Sequence, residues 1–144
     1  MKPFLQRVIV MLIVTLAVNP SACPQDAQAL HDYLAGQRFL VTYRQGGPVY
    51  GTYFFLRVHL CPSGNYITFG QSRKQSVLDT HAEQVHNWRD QGRWDAGVYG
   101  GQMGIQYISS SGQTAFYPIS VGANGEIRAG NGMSVVREGP AQCQ

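Results

Sequence analysis

YFFLRVHLCPSGNY, from Tyr53 to Tyr66, is the stretch that decides the fold of this chain. Its first part alternates in polarity: one face of an extended strand carries Phe54, Leu56, Val58 and Leu60, and the other carries Tyr53, Phe55, Arg57 and His59. The alternation stops at a Pro-Ser-Gly-Asn turn and restarts at once, which is typical of a β-hairpin. The stretch therefore predicts two antiparallel strands with one apolar face.

The same pattern of strand, turn and strand recurs along the chain. Arg38 to Arg44 alternates before this stretch, and the segments RWDAGVY, MGIQYIS, TAFYPISV, EIRA and MSVVRE follow it, separated by glycine-rich turns. Strand signals at intervals of about eight to twelve residues, with little helical periodicity, are typical of barrels and sandwiches. We predict an all-β fold, an antiparallel up-and-down β-barrel of about eight to nine strands.

Two segments depart from this pattern. Asp26 can cap a short amphipathic helix from Ala27 to Ala35, which would need an apolar partner such as one end of the barrel. Gln75 to Asn87 is ambiguous between a helix and a long loop followed by a strand. If Val85 to Trp88 is counted as a strand, it precedes a tight turn from Arg89 to Arg93 and brings the count to nine.

The N-terminus has the layout of a secretory signal. Lys2 and Arg7 precede an apolar run from Val8 to Val18, which is short for a membrane anchor, and small or turn-forming residues follow it. We therefore expect a signal peptide at 1–22 and a single barrel domain at 23–144, exported to the periplasm or the cell exterior, with no transmembrane segment after cleavage. Cleavage after Ala22 and cleavage after the A-x-A at 27–29 both remain open.

Three cysteines bear on the same question. Cys23 could carry a lipid anchor of the outer membrane, but Pro20 stands where a lipobox has a Leu-like residue, so lipidation is the less favoured alternative. If Cys23 is lipidated or removed, Cys61 and Cys143 are the pair left to form a disulfide in an oxidising compartment. The alternatives are a bond from Cys23 to Cys143 and a free buried thiol at Cys61.

Charge and motifs exclude several functions. Removal of Lys2 and Arg7 lowers the net charge from +3 to +1, and the remaining basic residues are spread along the sequence, so no nucleic-acid partner is expected. There is no Gly-x-Ser-x-Gly, no paired His-Glu helix motif and no phosphate loop, so the chain is predicted to be neither an enzyme nor a cofactor-dependent protein. The cluster DTHAEQVH, from Asp79 to His86, could hold a metal only as a loop, and a solvated polar loop is the favoured reading.

The order of several motifs resembles a known family. A short helix, LAGQRF opening the first strand, LCPSGNY at a hairpin, GRWDAG opening a later strand and an Asn-Gly turn near the end resemble the lipocalin-like, calycin-type barrels of exported bacterial proteins. The resemblance covers Ala29 to Arg137. Lipocalins have a Gly-x-Trp on the first strand, whereas Gly36 is followed there by Gln37 and Arg38 and the tripeptide recurs only at Gly92 to Trp94. The resemblance implies a barrel of roughly eight strands, often with a ligand cavity, and no catalytic residue.

Aromatic residues then indicate a function. Tyr and Trp side chains on the strands could fill the barrel or line a cavity for a small apolar or amphipathic ligand. In the second case we expect an open rim carrying Trp88, Trp94 and Arg93, with Arg57 and Tyr99 as further ligand-binding residues and an acidic head group as the partner of the arginines. The alternative is an envelope interaction or inhibitor protein that acts through loops such as Gln75 to Asn87 on a protein partner.

Overall fold

Alternating polarity produces eight strands in the computed structural model, which describes residues 26–47, 49–76 and 84–144. After helix α1 (Ala27–Leu34) the strands are β1 (Gln37–Gly46), β2 (Tyr50–Leu60), β3 (Asn65–Ser76), β4 (Gln84–Tyr99), β5 (Gln102–Ser109), β6 (Thr114–Val121), β7 (Ile127–Ala129) and β8 (Ser134–Pro140). Each strand pairs antiparallel with the next, and β1 pairs with β8, so that the sheet closes into a barrel. The predicted all-β antiparallel barrel is confirmed.

Helix α1 begins where the sequence predicts and lies against the barrel. The Asp26 carboxylate accepts a hydrogen bond of 2.7 Å from the backbone N–H of Ala29, which caps the first turn. The helix ends before Gly36, whose φ of +77° suits glycine. Leu30 and Leu34 are fully buried and join the core. A two-turn helix is marginal alone, and this apolar face accounts for its stability.

The two ends of the barrel differ because of this helix. The end next to α1, here called the closed end, carries the β2–β3 turn, the β4–β5 turn at Gly100 and Gly101, and the β6–β7 turn. The opposite end, here called the open end, carries the β1–β2 turn, the β5–β6 turn and the β7–β8 turn. The segment predicted to be a signal peptide, 1–22, and residues 77–83 of the ambiguous connection lie outside the described residues.

Strand β4 includes the residues of the turn predicted at 89–93, and the barrel has eight strands, the lower of the two predicted counts. Residues 89–93 form no turn but lie inside one long strand, so the barrel has eight strands and Val85 to Trp88 is its beginning. Gly92 is not a turn residue: a Cβ at this position would overlap the carbonyl oxygen of Ile108 on β5. The glycine therefore permits a close approach of two strands, which the sequence pattern does not distinguish from a turn.

The C-terminal tail is fixed to the outside of the barrel. Cys61 and Cys143 form a disulfide with an S–S distance of 2.10 Å, which confirms the favoured pairing. The backbone N–H of Ala141 donates to the carbonyl oxygen of Gly36, and the N–H of Gln142 donates to Nδ1 of His59 at 2.9 Å. His59 points out of the barrel, yet only 2% of its surface is exposed because the tail contributes to its cover.

Candidate functional site

The barrel encloses a cavity of about 300 Å³. Its wall is mostly apolar and comes from all eight strands and α1, as expected for the inward faces of alternating strands around a barrel. The apolar lining comprises Leu34, Phe39, Val41, Leu56, Val58, Leu60, Trp88, Ile105, Ala115, Ile119, Ile127, Ala129, Met133 and Val135. The volume is at the lower end of the range for small-molecule sites in proteins. Of the two alternatives, a filled barrel and a lined cavity, the structure has the cavity.

Four tyrosine side chains give this apolar wall its polar tips. The ring of Tyr107 makes edge contacts with Tyr66 at 5.1 Å and with Tyr117 at 5.6 Å between centroids, and Tyr43 lines the same cavity. Burial raises the pKa of Tyr43, Tyr66 and Tyr107 above the ordinary value of 10.0, so these phenols are neutral at physiological pH. In the described part of the chain only the Tyr66 hydroxyl has a hydrogen-bond partner among these four.

That partner is Asp90, the acidic residue of the cavity. The Tyr66 hydroxyl donates to Oδ2 of Asp90 at 2.6 Å, a short distance typical of a hydrogen bond to a carboxylate. Both residues line the cavity. Asp90 is not among the site residues predicted from the sequence, although it lies two residues after Trp88 and strand alternation puts both side chains on one face. A turn predicted at Arg89 to Arg93 would break this alternation, so the sequence does not indicate that Asp90 and Trp88 share a face.

An aromatic group lies toward the open end. The ring of Phe54 stacks on Tyr43 with centroids 4.7 Å apart and makes an edge contact with Trp88 at 6.2 Å. The Trp88 indole lies over Gly70, its partner on β3, and a Cβ on Gly70 would overlap the indole ring. Trp88 lines the cavity, so it is the one predicted ligand-binding residue that reaches it.

Trp94 lies instead at the closed end, where it connects α1 to the barrel. Its side chain is 3% exposed and donates a 3.0 Å hydrogen bond from Nε1 to the carbonyl oxygen of Cys61. The His31 ring of α1 stacks on the indole at 4.5 Å, and His31 Nδ1 lies 3.0 Å from Oδ1 of Asp95. This indole therefore has a packing role, and none of the described cavity lining comes from it.

The other predicted site residues face away from the cavity. Tyr99 lies at the β4–β5 turn with 76% of its surface exposed, where it contacts Phe116. Arg57 points outward from β2 and donates to both carboxylate oxygens of Glu138, and Arg93 is exposed on β4. The expectation of one open rim with Trp88, Arg93 and Trp94 is therefore wrong: Trp88 lies toward the open end and Trp94 toward the closed end. Arg57 on β2 and Arg93 on β4 both face the outside of the barrel.

Arginines collect on the outer surface of β1 to β4, although they are spread along the sequence. This surface, here called the basic wall, contains Arg38, Arg44, Arg57, Arg73, Arg89 and Arg93. Arg44 lies over the ring of Tyr53, Arg73 over Phe55 and Arg89 over Phe69, each with about 5.4 Å between the guanidinium carbon and the ring centroid. The sequence could not show this clustering without the strand register.

Glu138 on β8 offsets part of the positive charge of the basic wall. Arg57 holds the pKa of the Glu138 carboxyl below its usual value through its hydrogen bonds. Arg38 Nε lies 3.2 Å from the same carboxylate but outside hydrogen-bonding geometry. The pKa of His59 is lowered from 6.5 by burial and then by the positive charges of Arg38 and Arg57. His59 is therefore a neutral acceptor for the tail at physiological pH.

No metal centre is apparent in the residues described. Among 26–47, 49–76 and 84–144, no three His, Cys, Asp or Glu side chains come together in a way that could hold a metal ion. Of the cluster from Asp79 to His86, only Gln84 to His86 belong to the described residues, and the His86 ring stacks near Trp88 at 6.0 Å. Nor is any helix in the described ranges long and apolar enough to cross a membrane.

Fold and site together define a closed antiparallel barrel with an internal, mostly apolar cavity. No family model, no curated protein and no solved structure matches the chain.

Proposed function

We propose that this protein is an exported, non-catalytic barrel that binds a small apolar or amphipathic molecule in its cavity. The observation that carries the proposal is the cavity of about 300 Å³, with apolar walls and a few polar groups. Such a combination is typical of small-molecule sites, in which apolar area supplies affinity and polar groups fix orientation. At roughly the 30 Å³ that one water occupies in the liquid, this space accommodates about ten non-hydrogen atoms.

The location and the lipocalin-like resemblance belong to the same proposal. The disulfide between Cys61 and Cys143 supports export, because disulfides persist in oxidising compartments. A signal peptide at 1–22 and, less favoured, a lipid anchor at Cys23 are the routes proposed for reaching the periplasm or the cell exterior. The consecutive eight-strand order supports a lipocalin-like architecture.

The test is native mass spectrometry of protein purified from its own host, in three versions. Ala129→Leu adds three carbon atoms inside the cavity, about 90 Å³ at that atomic volume, nearly a third of the space. Ser120→Leu introduces the same side chain on the exposed face of β6. We expect a small molecule bound to the wild type and to Ser120→Leu, and at least tenfold less bound to Ala129→Leu. Equal amounts in all three versions would place the ligand outside the cavity and contradict the proposal.

The basic wall favours a second candidate, envelope interaction through an anionic phospholipid surface. Each arginine near such a surface contributes about 1 kcal/mol, and this wall carries six of them with three exposed aromatic rings. We expect Arg44→Gln with Arg89→Gln to weaken sedimentation with phosphatidylglycerol vesicles at least tenfold. The control, Arg128→Gln with Arg137→Gln, removes the same charge elsewhere. An equal loss of vesicle binding in both double variants would contradict a specific role of the basic wall. Equal binding of the wild type to phosphatidylcholine and phosphatidylglycerol vesicles would contradict it as well.

A further inference from the structure

Asp90 determines the charge of the cavity. Among the described residues that line it, Asp90 is the only charged side chain, and no Lys, Arg or His accompanies it. The arginines expected to receive an acidic head group, Arg57 and Arg93, lie on the outer surface instead. An anionic ligand would therefore meet a carboxylate and no compensating cation within the described lining. Between mostly apolar walls such like-charge proximity is unfavourable.

The surroundings of Asp90 favour a hydrogen-bond donor with positive charge. Its Oδ2 accepts from Tyr66, and in the described part of the chain no ion pair or second hydrogen bond engages the carboxylate. A half-buried carboxylate with remaining acceptor capacity is stabilised by a cation that donates hydrogen bonds. The hydroxyls of Tyr43, Tyr107 and Tyr117 have no protein partner in the same part of the chain and can accept or donate nearby.

Aromatic faces next to Asp90 add to this preference. Trp88 lies two residues away on the same face of β4, about 7 Å along the strand, and the Tyr66, Tyr107 and Tyr117 rings adjoin one another. The faces of such rings attract cations, indole most strongly. The apolar walls beyond them suit a hydrocarbon or aromatic body of about ten non-hydrogen atoms.

We propose that the cavity selects small amines: a protonated amino group bound at Asp90 and an apolar body in the barrel. This inference rests on the proposed function, because it specifies the ligand of the same cavity. It replaces the acidic ligand expected from the sequence. The binding step involves no covalent change.

The experiment compares three eight-carbon probes with different head groups: octylamine, 1-octanol and octanoate. Each is titrated calorimetrically at pH 7 into the purified, disulfide-bonded protein. We expect octylamine to bind at least tenfold more tightly than 1-octanol, and octanoate to bind most weakly. Octanol or octanoate binding as tightly as octylamine would overturn the amine preference while leaving cavity binding in place. Binding of none of the three would overturn the proposed function itself.

Two variants assign the preference to Asp90. Asp90→Asn keeps the shape and removes the charge, whereas Asp32→Asn removes one exposed charge from α1. We expect Asp90→Asn to lose at least tenfold in octylamine affinity with 1-octanol affinity unchanged, and Asp32→Asn to match the wild type for both probes. Unchanged octylamine binding in Asp90→Asn would overturn the role of Asp90. If Asp90→Asn does not fold, the order of the three probes on the wild type still decides the amine preference.

Discussion

Removing the disulfide is expected to cost this barrel a large part of its stability. The bond joins residues 82 apart in the sequence, so in the unfolded state it closes one long loop from β2 to the C-terminal tail. In the chain-entropy treatment, a loop of this size destabilises the unfolded state by about 4.5 kcal/mol at 25 °C. Small domains have unfolding free energies of only about 5–15 kcal/mol, so this loss would be decisive.

The perturbation is the pair Cys61→Ala and Cys143→Ala, which removes the bond without burying a new polar group. The assay is urea unfolding followed by tryptophan fluorescence and far-ultraviolet circular dichroism. We expect a loss of about 4.5 kcal/mol, and a fall in melting temperature of about 18 °C at roughly 4 °C per kcal/mol for a domain of this size. The m-value should rise, because the uncrosslinked chain exposes more surface on unfolding.

A truncated control separates the crosslink from the contacts of the tail. The same double-alanine chain is ended after Pro140, which also removes the hydrogen bonds made by the N–H groups of Ala141 and Gln142. If the crosslink dominates, truncation should change the unfolding free energy by less than about 2 kcal/mol further, the value of two typical hydrogen bonds. A loss of unfolding free energy below about 1.5 kcal/mol in the double-alanine protein would refute the claim that the disulfide acts by closing a long loop in the unfolded state.

Three further perturbations act on contacts of single residues. Gly70→Ala should lose about 1–3 kcal/mol and shift the tryptophan emission, because the new Cβ displaces the Trp88 indole; Gly97→Ala, with open space around it, should change stability little. Trp94→Phe should lose about 2 kcal/mol of unfolding free energy in urea, since it removes a buried hydrogen bond and part of the contact with α1. His59→Asn should flatten the loss of stability on acidification from pH 7 to 5, because the pKa of His59 is lower in the folded than in the unfolded state and protonation favours unfolding below about 6.5.

Each of these three expectations has a contrary result. Equal melting temperatures for Gly70→Ala and Gly97→Ala would show that Trp88 does not lie against β3. An unchanged unfolding free energy in Trp94→Phe would remove the proposed link between the helix and the barrel. A pH profile of His59→Asn identical to that of the wild type between pH 7 and 5 would show that His59 is not buried by the tail. Below about pH 4.5 protonation of Glu138 adds its own loss, so the comparison stays above that range.

The fold could be predicted because its signals are local. Alternation in β2 fixes which side chains point inward, and glycine-rich turns at Gly100 and Gly101 fix where antiparallel strands reverse. The disulfide was the favoured pairing because only two cysteines remain once Cys23 is lipidated or removed. These inferences need only the spacing of residues along the chain.

Apart from Trp88, the residues of the site could not be predicted, because the course of β4 depends on how Gly92 is interpreted. Glycine is common in turns, so Gly92 suggests a turn that would bring Trp88 and Trp94 together. In the structure Gly92 lies inside β4, where the absence of a side chain lets β4 approach β5 closely. In a continuous strand the six residue steps from Trp88 to Trp94 span about 20 Å, so the two indoles lie far apart along β4. The pairing register of β3 and β4 is needed to see that the arginines cluster on the outside of the barrel and that Asp90 lies inside it.

The most direct test of ligand binding in the cavity uses the two tryptophans as separate reporters. Wild type and Trp88→Phe are titrated with octylamine, and fluorescence and heat are recorded on the same samples. Because Trp88 lines the cavity and Trp94 lies under α1, we expect a saturable change in wild-type emission that is abolished in Trp88→Phe, while calorimetric binding persists within about tenfold. An emission change that survives Trp88→Phe at full amplitude would come from Trp94 and would contradict binding in the barrel.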